Sequence, residues 1–225
     1  MNKPRRALCA ALLVASGLLT PMMAGAVSIA FDKRELADMA FREPVLTLAP
    51  GPVRVQIKPG LCLDCDGYYR LPAYGDLTGL YTRVIQSDFR SQLKNVLFDS
   101  GLMSGEGTRA NWRATVERVS GESSLSHSEE RRSPLTSGAV LTMTTVVRYE
   151  LLSGQAVQGT WLVESRGSSG STGRRWEEAI ARALGRNIRK FVATLKQDLV
   201  RDLSPAEQAF IASIDQERDG TRSLV

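Results

Sequence analysis

The chain has 225 residues, with 29 Lys+Arg against 24 Asp+Glu and a formal charge of +5. Its 43% hydrophobic and 24% charged content is that of a globular protein and excludes wholesale disorder. A single apolar run excludes a polytopic membrane protein, and one His with three Cys leaves most metal-site and triad chemistry without its ligands.

Residues 1–26 have the form of a cleaved Sec-type signal peptide. Lys3, Arg5 and Arg6 make a basic start, an apolar core runs from Ala7 to Leu19, and Ala24-Gly25-Ala26 offers a small-x-small cleavage site. The core is about 13 residues long, short of the ~20 that a spanning helix needs. Without this segment the mature chain of 199 residues carries 26 Lys+Arg against 24 Asp+Glu, a net of +2. Much of the basic character therefore belongs to the address and little to the working protein. The expected destination is the periplasm, in association with the outer membrane or another envelope component.

Residues 27–44 form an N-terminal extension in which Asp32 to Phe41 suits a short helix. An α+β domain is expected over 45–203. Val45–Ile57 is its first strand segment, in which Val53, Val55 and Ile57 alternate with Arg54 and Gln56, a strand pattern. Pro50 and Pro52 confine its paired part to the second half or place it on a sheet edge. A Gly-, Pro- and Tyr-containing loop, 58–76, carries Cys62 and Cys65. Leu80 to Phe98 then repeats apolar residues at helical spacing (Tyr81, Val84, Ile85, Phe89, Leu93, Val96, Leu97). Asp76 or Thr78 could cap its start, and Gly101 is placed to end it in a left-handed cap.

Three strands follow. Asn111–Val119 puts Trp112, Ala114 and Val116 on one face. Ala139–Leu152 does the same with Leu141, Met143, Val147, Tyr149 and Leu151, and Val157–Ser165 with Val157, Gly159, Trp161 and Val163. Ser153 to Ala156 is a hairpin connection, whereas Gly121 to Gly138 is a longer polar loop holding His127. Gly167 to Gly173 reads as a flexible connector into a second long helix, Arg174 to Asp198, striped by Trp176, Ile180, Leu184, Ile188, Phe191, Leu195 and Leu199. Residues 204–225 supply a short helix and a frayed tail: Ser204-Pro205-Ala206-Glu207 is a capping box with Pro at the first helical position.

The resulting order is β-α-β-β-β-α with a short C-terminal helix. Each strand has one apolar face and each long helix one apolar stripe. The simplest way to bury them all is an α+β fold, a four-stranded mainly antiparallel sheet with two helices packed on one face.

Few residues invite chemistry. Cys62 and Cys65, in an oxidising compartment, suit a local structural disulfide. Free thiols, a redox pair or a metal site are the alternatives, and Asp64 and Asp66 work against a reactive thiolate. His127 lies in a charged, Ser-rich loop with no GxSxG motif in the chain. The Gly167–Gly173 segment enters a helix but lacks a phosphate-loop pattern. Arg175, Arg182, Arg186 and Arg189, flanked by Lys190, could form a face for an anionic partner, against the plainer reading of a solvated helix face. No metal, cofactor or catalytic set is expected, and an exported chain of this charge is not expected to meet nucleic acid.

The pattern Val53-Arg-Val-Gln-Ile57, then Phe89, Leu93, Val96-Leu97 and Ser100-Gly101, then the three strands, continues in Ala181-Arg-Ala-Leu184, Asn187-Ile188, Phe191-Val192 and Leu195, and ends around Phe210-Ile211. Over about 45–215 this resembles the YajG-type outer-membrane lipoproteins and, more distantly, the auxiliary lipoproteins of envelope ABC-type transport systems. Those families carry a lipid-bearing Cys after the apolar core, whereas Cys9 sits near its start. The resemblance implies a non-enzymatic envelope role and carries over no site residues. Two functions are expected to compete. One is an accessory protein that docks to an envelope complex or outer-membrane component. The other is a protein that binds lipid or a small amphiphile, anionic lipid included, in a space lined by Trp112, Trp161, Trp176 and Phe89.

Overall fold

The structure, a computed structural model, describes residues 28–58, 84–123, 141–169 and 175–219. Helix α1, Lys33–Met39, opens on a capping box in which Asp32 accepts from the Glu35 N–H and Glu35 accepts from the Asp32 N–H. Strand β1 is Val53–Ile57, the span set by its alternating side chains. A π-helical stretch, Val84–Phe89, continues directly into α2, Arg90–Asp99. Ser100 caps α2, and Gly101 follows at φ +75°, the left-handed conformation expected there.

Strands β2 (Asn111–Ser123) and β4 (Ala156–Ser168) run longer than their apolar alternation suggests, and β3 is Leu141–Ser153, ending one residue past the expected Leu152. Helix α3 is Arg175–Leu199 and α4 is Pro205–Asp219. The capping box of α4 is formed: Ser204 N–H and Oγ both donate to Glu207 Oε2, and the Glu207 N–H donates to Ser204 Oγ.

The sheet order is β1-β2-β3-β4. β2, β3 and β4 pair antiparallel, as their short connections require, and β1 pairs parallel with β2. The sheet is thus mixed, with antiparallel pairing in the majority. The parallel pair follows from the helical crossover between β1 and β2, which returns the chain to the end where it started.

Trp112, Ala114 and Val116 of β2 stand beside Leu151, Tyr149 and Val147 of β3, all buried on one face. The helices cover this face. α3 lies over β3 and β4, while α2 and the π-helical stretch lie over β1. Phe191 of α3 is the centre of the interface: its ring stacks on Tyr149 at 3.8 Å and meets Trp112 and Trp161 edge-on, each at 5.8 Å. Trp112 and Phe89, expected to line a ligand space, are packed core. Trp161 packs on this cluster and donates Nε1–H to Asp198. The side chain of Trp176 lies outside the described residues.

The first and last described segments join the same core. Ile29, Met39 and Phe41 from the N-terminal stretch and Phe210, Ile211 and Ile214 from α4 are all buried in it. One face assignment changes. The ladder slips between Leu151 and Leu152, so Val157 pairs with Leu152 and is 48% exposed instead of sharing the face of Trp161 and Val163.

Candidate functional site

Cys62, Cys65 and His127 lie outside the described residues, as does the side chain of Arg175. Among the described residues no cluster of His, Cys, Asp and Glu could hold a metal ion. The start of the expected Gly-rich connector is different from expectation. Gly167 and Ser168 are still strand β4, paired with Met143 and Thr142. A Cβ on Gly167 would lie 2.2 Å from Ala183 N and 2.5 Å from Ala179 O, so glycine is what lets α3 settle on the strand.

The basic residues of α3 divide by direction. Arg182 Nη1 donates to Ser168 O at 2.8 Å, Arg186 Nη1 to Arg166 O at 3.0 Å, and Lys190 Nζ to Glu164 O at 3.0 Å. The match is geometric: four helical residues advance about 6 Å, close to the ~6.6 Å between alternate residues of a strand. β4 is an edge strand, and these cations occupy its outward carbonyls, a form of edge protection. Arg182 also pairs with Glu178 at 2.5 Å. Arg189 points elsewhere, with Nη1 3.6 Å from Glu35 of α1.

Beneath this row is a buried polar network that no motif announced. Tyr149 Oη donates to Asn187 Oδ1 at 2.6 Å. Asn187 Nδ2 donates to Val163 O and to Ser165 Oγ, both at 2.9 Å. Ser165 Oγ in turn donates to Ala183 O and shares a hydrogen bond with Thr145 Oγ1. Burial pushes the Tyr149 hydroxyl well above its ordinary pKa, so it stays a neutral donor. The group fixes the register of α3 on the sheet. Its only sequence signal was a lone Asn inside an apolar helical stripe.

No described helix covers the second face of the sheet. Cross-strand ion pairs run over it: Arg113 with Glu150 at 2.6 Å, Arg148 with Glu117 at 2.6 Å, Lys58 with Glu117 at 3.4 Å, and Arg118 with Glu164 at 3.0 Å. Leu162 stands out on this face at 68% exposed. It is also at the rim of a groove of about 480 Å³ formed by β4, α3 and α4. Val163, Ala193, Ile211 and Ile214 give this groove an apolar floor, while Arg166, Arg186 and Lys190 line it beside Glu164 and Asp215. The exposed leucine, the buried apolar floor and the mixed charge make this groove a candidate docking site among the described residues.

No protein-family model matches this chain, and no curated protein does. Among solved structures it is similar to a candidate lipoprotein from Caulobacter crescentus, with 15% identity over 51% of this chain and 82% of that one, at a TM-score of 0.31. It is also similar to a DUF330 protein from Xanthomonas campestris, with 12% identity over 80% of this chain and 98% of that one, at a TM-score of 0.31. Both likenesses are low in identity and in TM-score, and neither supplies a site residue. No helix among the described residues is long and apolar enough to cross a membrane.

Proposed function

We propose that this chain is an exported accessory protein of the bacterial envelope that docks to a protein of an envelope complex or to an outer-membrane component, without catalysis of its own. The observation that carries the reading is Leu162: a large apolar side chain, 68% exposed, set among ion pairs at the rim of a groove with an apolar floor. A leucine in that position suits the centre of a small interface, with the surrounding charges as its polar rim. Three pairs of described buried polar groups have structural duties: Lys196 with Glu207, Glu150 with Arg113, and Tyr149 with Asn187. Capture from periplasmic extract tests the proposal. The wild-type protein should retain a reproducible partner, and Leu162→Asp should lose it while keeping the same melting temperature. No partner for the wild type, or equal capture by the variant, would count against docking at this site.

A second reading uses the same groove. Cations beside an apolar floor suit an anionic amphiphile, with its headgroup near Arg166, Arg186 and Lys190 and its chain over Val163, Ile211 and Ile214. Native mass spectrometry of the exported protein should then show a co-purified lipid-sized mass, and the bare protein mass alone would remove this reading.

A further inference from the structure

The two edges of the sheet are treated differently. The β4 edge is closed by Arg182, Arg186 and Lys190 on its carbonyls. The β1 edge has no such cover among the described residues. Trp112 N–H donates to Pro52 O, and Lys58 N–H donates to Val116 O. In a parallel ladder bonding alternates from residue to residue, so the even-numbered residues 52 to 58 direct their backbone groups at β2. Val53, Val55 and Ile57 therefore direct theirs outward. Their side chains share the helix-covered face but stay only partly buried, while Arg54 and Gln56 are exposed on the other face.

We infer that β1 is the seam of a symmetric dimer, paired antiparallel with β1 of a second copy across a two-fold axis at Val55. The strand is self-complementary in this register. Val55 faces Val55 of the other copy, and Val53 faces Ile57, so every outward residue gives and takes one backbone hydrogen bond. On the apolar face the β-branched side chains meet one another. On the polar face Arg54 meets Gln56. Centring the axis one residue earlier would set Arg54 against Arg54, and one residue later would set Lys58 against Arg54, like-charge pairs that disfavour both registers. The pattern Val-Arg-Val-Gln-Ile thus selects one register and one partner, a second copy of this chain, and makes one continuous sheet through both.

Sedimentation of the purified exported protein over a concentration series tests the seam. A monomer–dimer equilibrium is expected. Gln56→Glu should tighten it about fivefold by placing a carboxylate opposite Arg54 in both halves, and Gln56→Arg should weaken it by a similar factor. Both changes are on exposed side chains and leave the monomer fold alone. Val55→Pro should abolish the dimer, because it removes the central outward N–H while sparing the β1–β2 ladder. A protein that stays monomeric throughout, or a dimer indifferent to both Gln56 changes, overturns the inference. So does a monomer that instead accepts an extended peptide on this edge. Because Gln56 is remote from Leu162 in the strand order, loss of the dimer and loss of the docking partner are separable results.

Discussion

Lys196 Nζ stands 3.2 Å from Glu207 Oε1, with the lysine side chain fully buried and the glutamate nearly so. The pair ties α3 to α4. The same ammonium donates to Ala40 O, just past α1, and lies 4.8 Å from the centre of the Phe41 ring. Three helices therefore meet at one charge. Burial pulls the Lys196 pKa below the ordinary lysine value, opposed by Glu207 and Asp38. Replacing one partner leaves the other charge buried without its counterion, so Lys196→Met should cost about 3–5 kcal/mol in urea unfolding. The double variant Lys196→Met with Glu207→Gln should cost less than the sum of the single ones, with a coupling of about 0.5–3 kcal/mol.

Acid should weaken the fold from two places. At Glu207 burial pushes the carboxyl pKa up, but the bonds from Ser204 and Lys196 outweigh it, and the net shift is downward. At Glu150 the Arg113 hydrogen bond is the main cause of a lowered pKa. A depressed carboxylate contributes its stability above the unfolded value of about 4.3, and that contribution is lost as pH falls through the lower folded value. The urea midpoint should be flat near neutrality with respect to these two groups and fall on acidification below that range. Glu150→Gln should flatten the acid limb by removing one of the groups responsible.

Asn187 is the hub of the polar network under α3. Asn187→Leu would leave the Tyr149 hydroxyl and the Ser165 hydroxyl each short of one buried partner. Unsatisfied buried groups cost about 1–3 kcal/mol apiece, so a total loss of about 2–4 kcal/mol is expected in chemical denaturation. Tyr149→Phe removes one donor with little change of shape and should cost less, about 1 kcal/mol.

Two glycines on β4 and its hairpin should answer differently to alanine. Gly167→Ala places a methyl group within 2.2 Å of the α3 backbone at Ala183, where only movement of the helix relieves the clash. A loss of at least about 3 kcal/mol is expected. Gly154 has open space around its missing Cβ and asks only for φ +62°. Gly154→Ala should cost about 1 kcal/mol, and Gly154→Asn less, since Asn tolerates that region. Thermal melts of the three variants would order them.

The local elements were legible because their signals are local. β1 is the alternating second half of the expected strand segment, and α3 falls within one residue at each end of the span read from its apolar stripe. The α4 capping box needed only Ser204, Pro205 and Glu207. Alternation failed where pairing changed the pattern. β2 continues past Val119 through a register shift beyond Val116, and Val157 leaves its expected face because β4 carries an extra residue, Gln158, against β3. The basic residues of α3 were legible as a set of charges. Their division between the β4 edge and Glu35 depends on which elements come to lie beside the helix.

By itself, then, the sequence determined the order of elements, their amphipathic faces, the helix caps and the concentration of positive charge on one helix. These depend on residues within a few positions of one another. Tertiary structure alone decided that β1 pairs parallel with β2, that cations close the β4 edge of the sheet while no described residue closes the β1 edge, and that Lys196 and Asn187 are buried with partners distant in the chain. It also decided that Leu162 is exposed at a groove. Each of these is set by which backbone carbonyl or side chain a residue meets after the chain has crossed the sheet, and no spacing in the sequence records that.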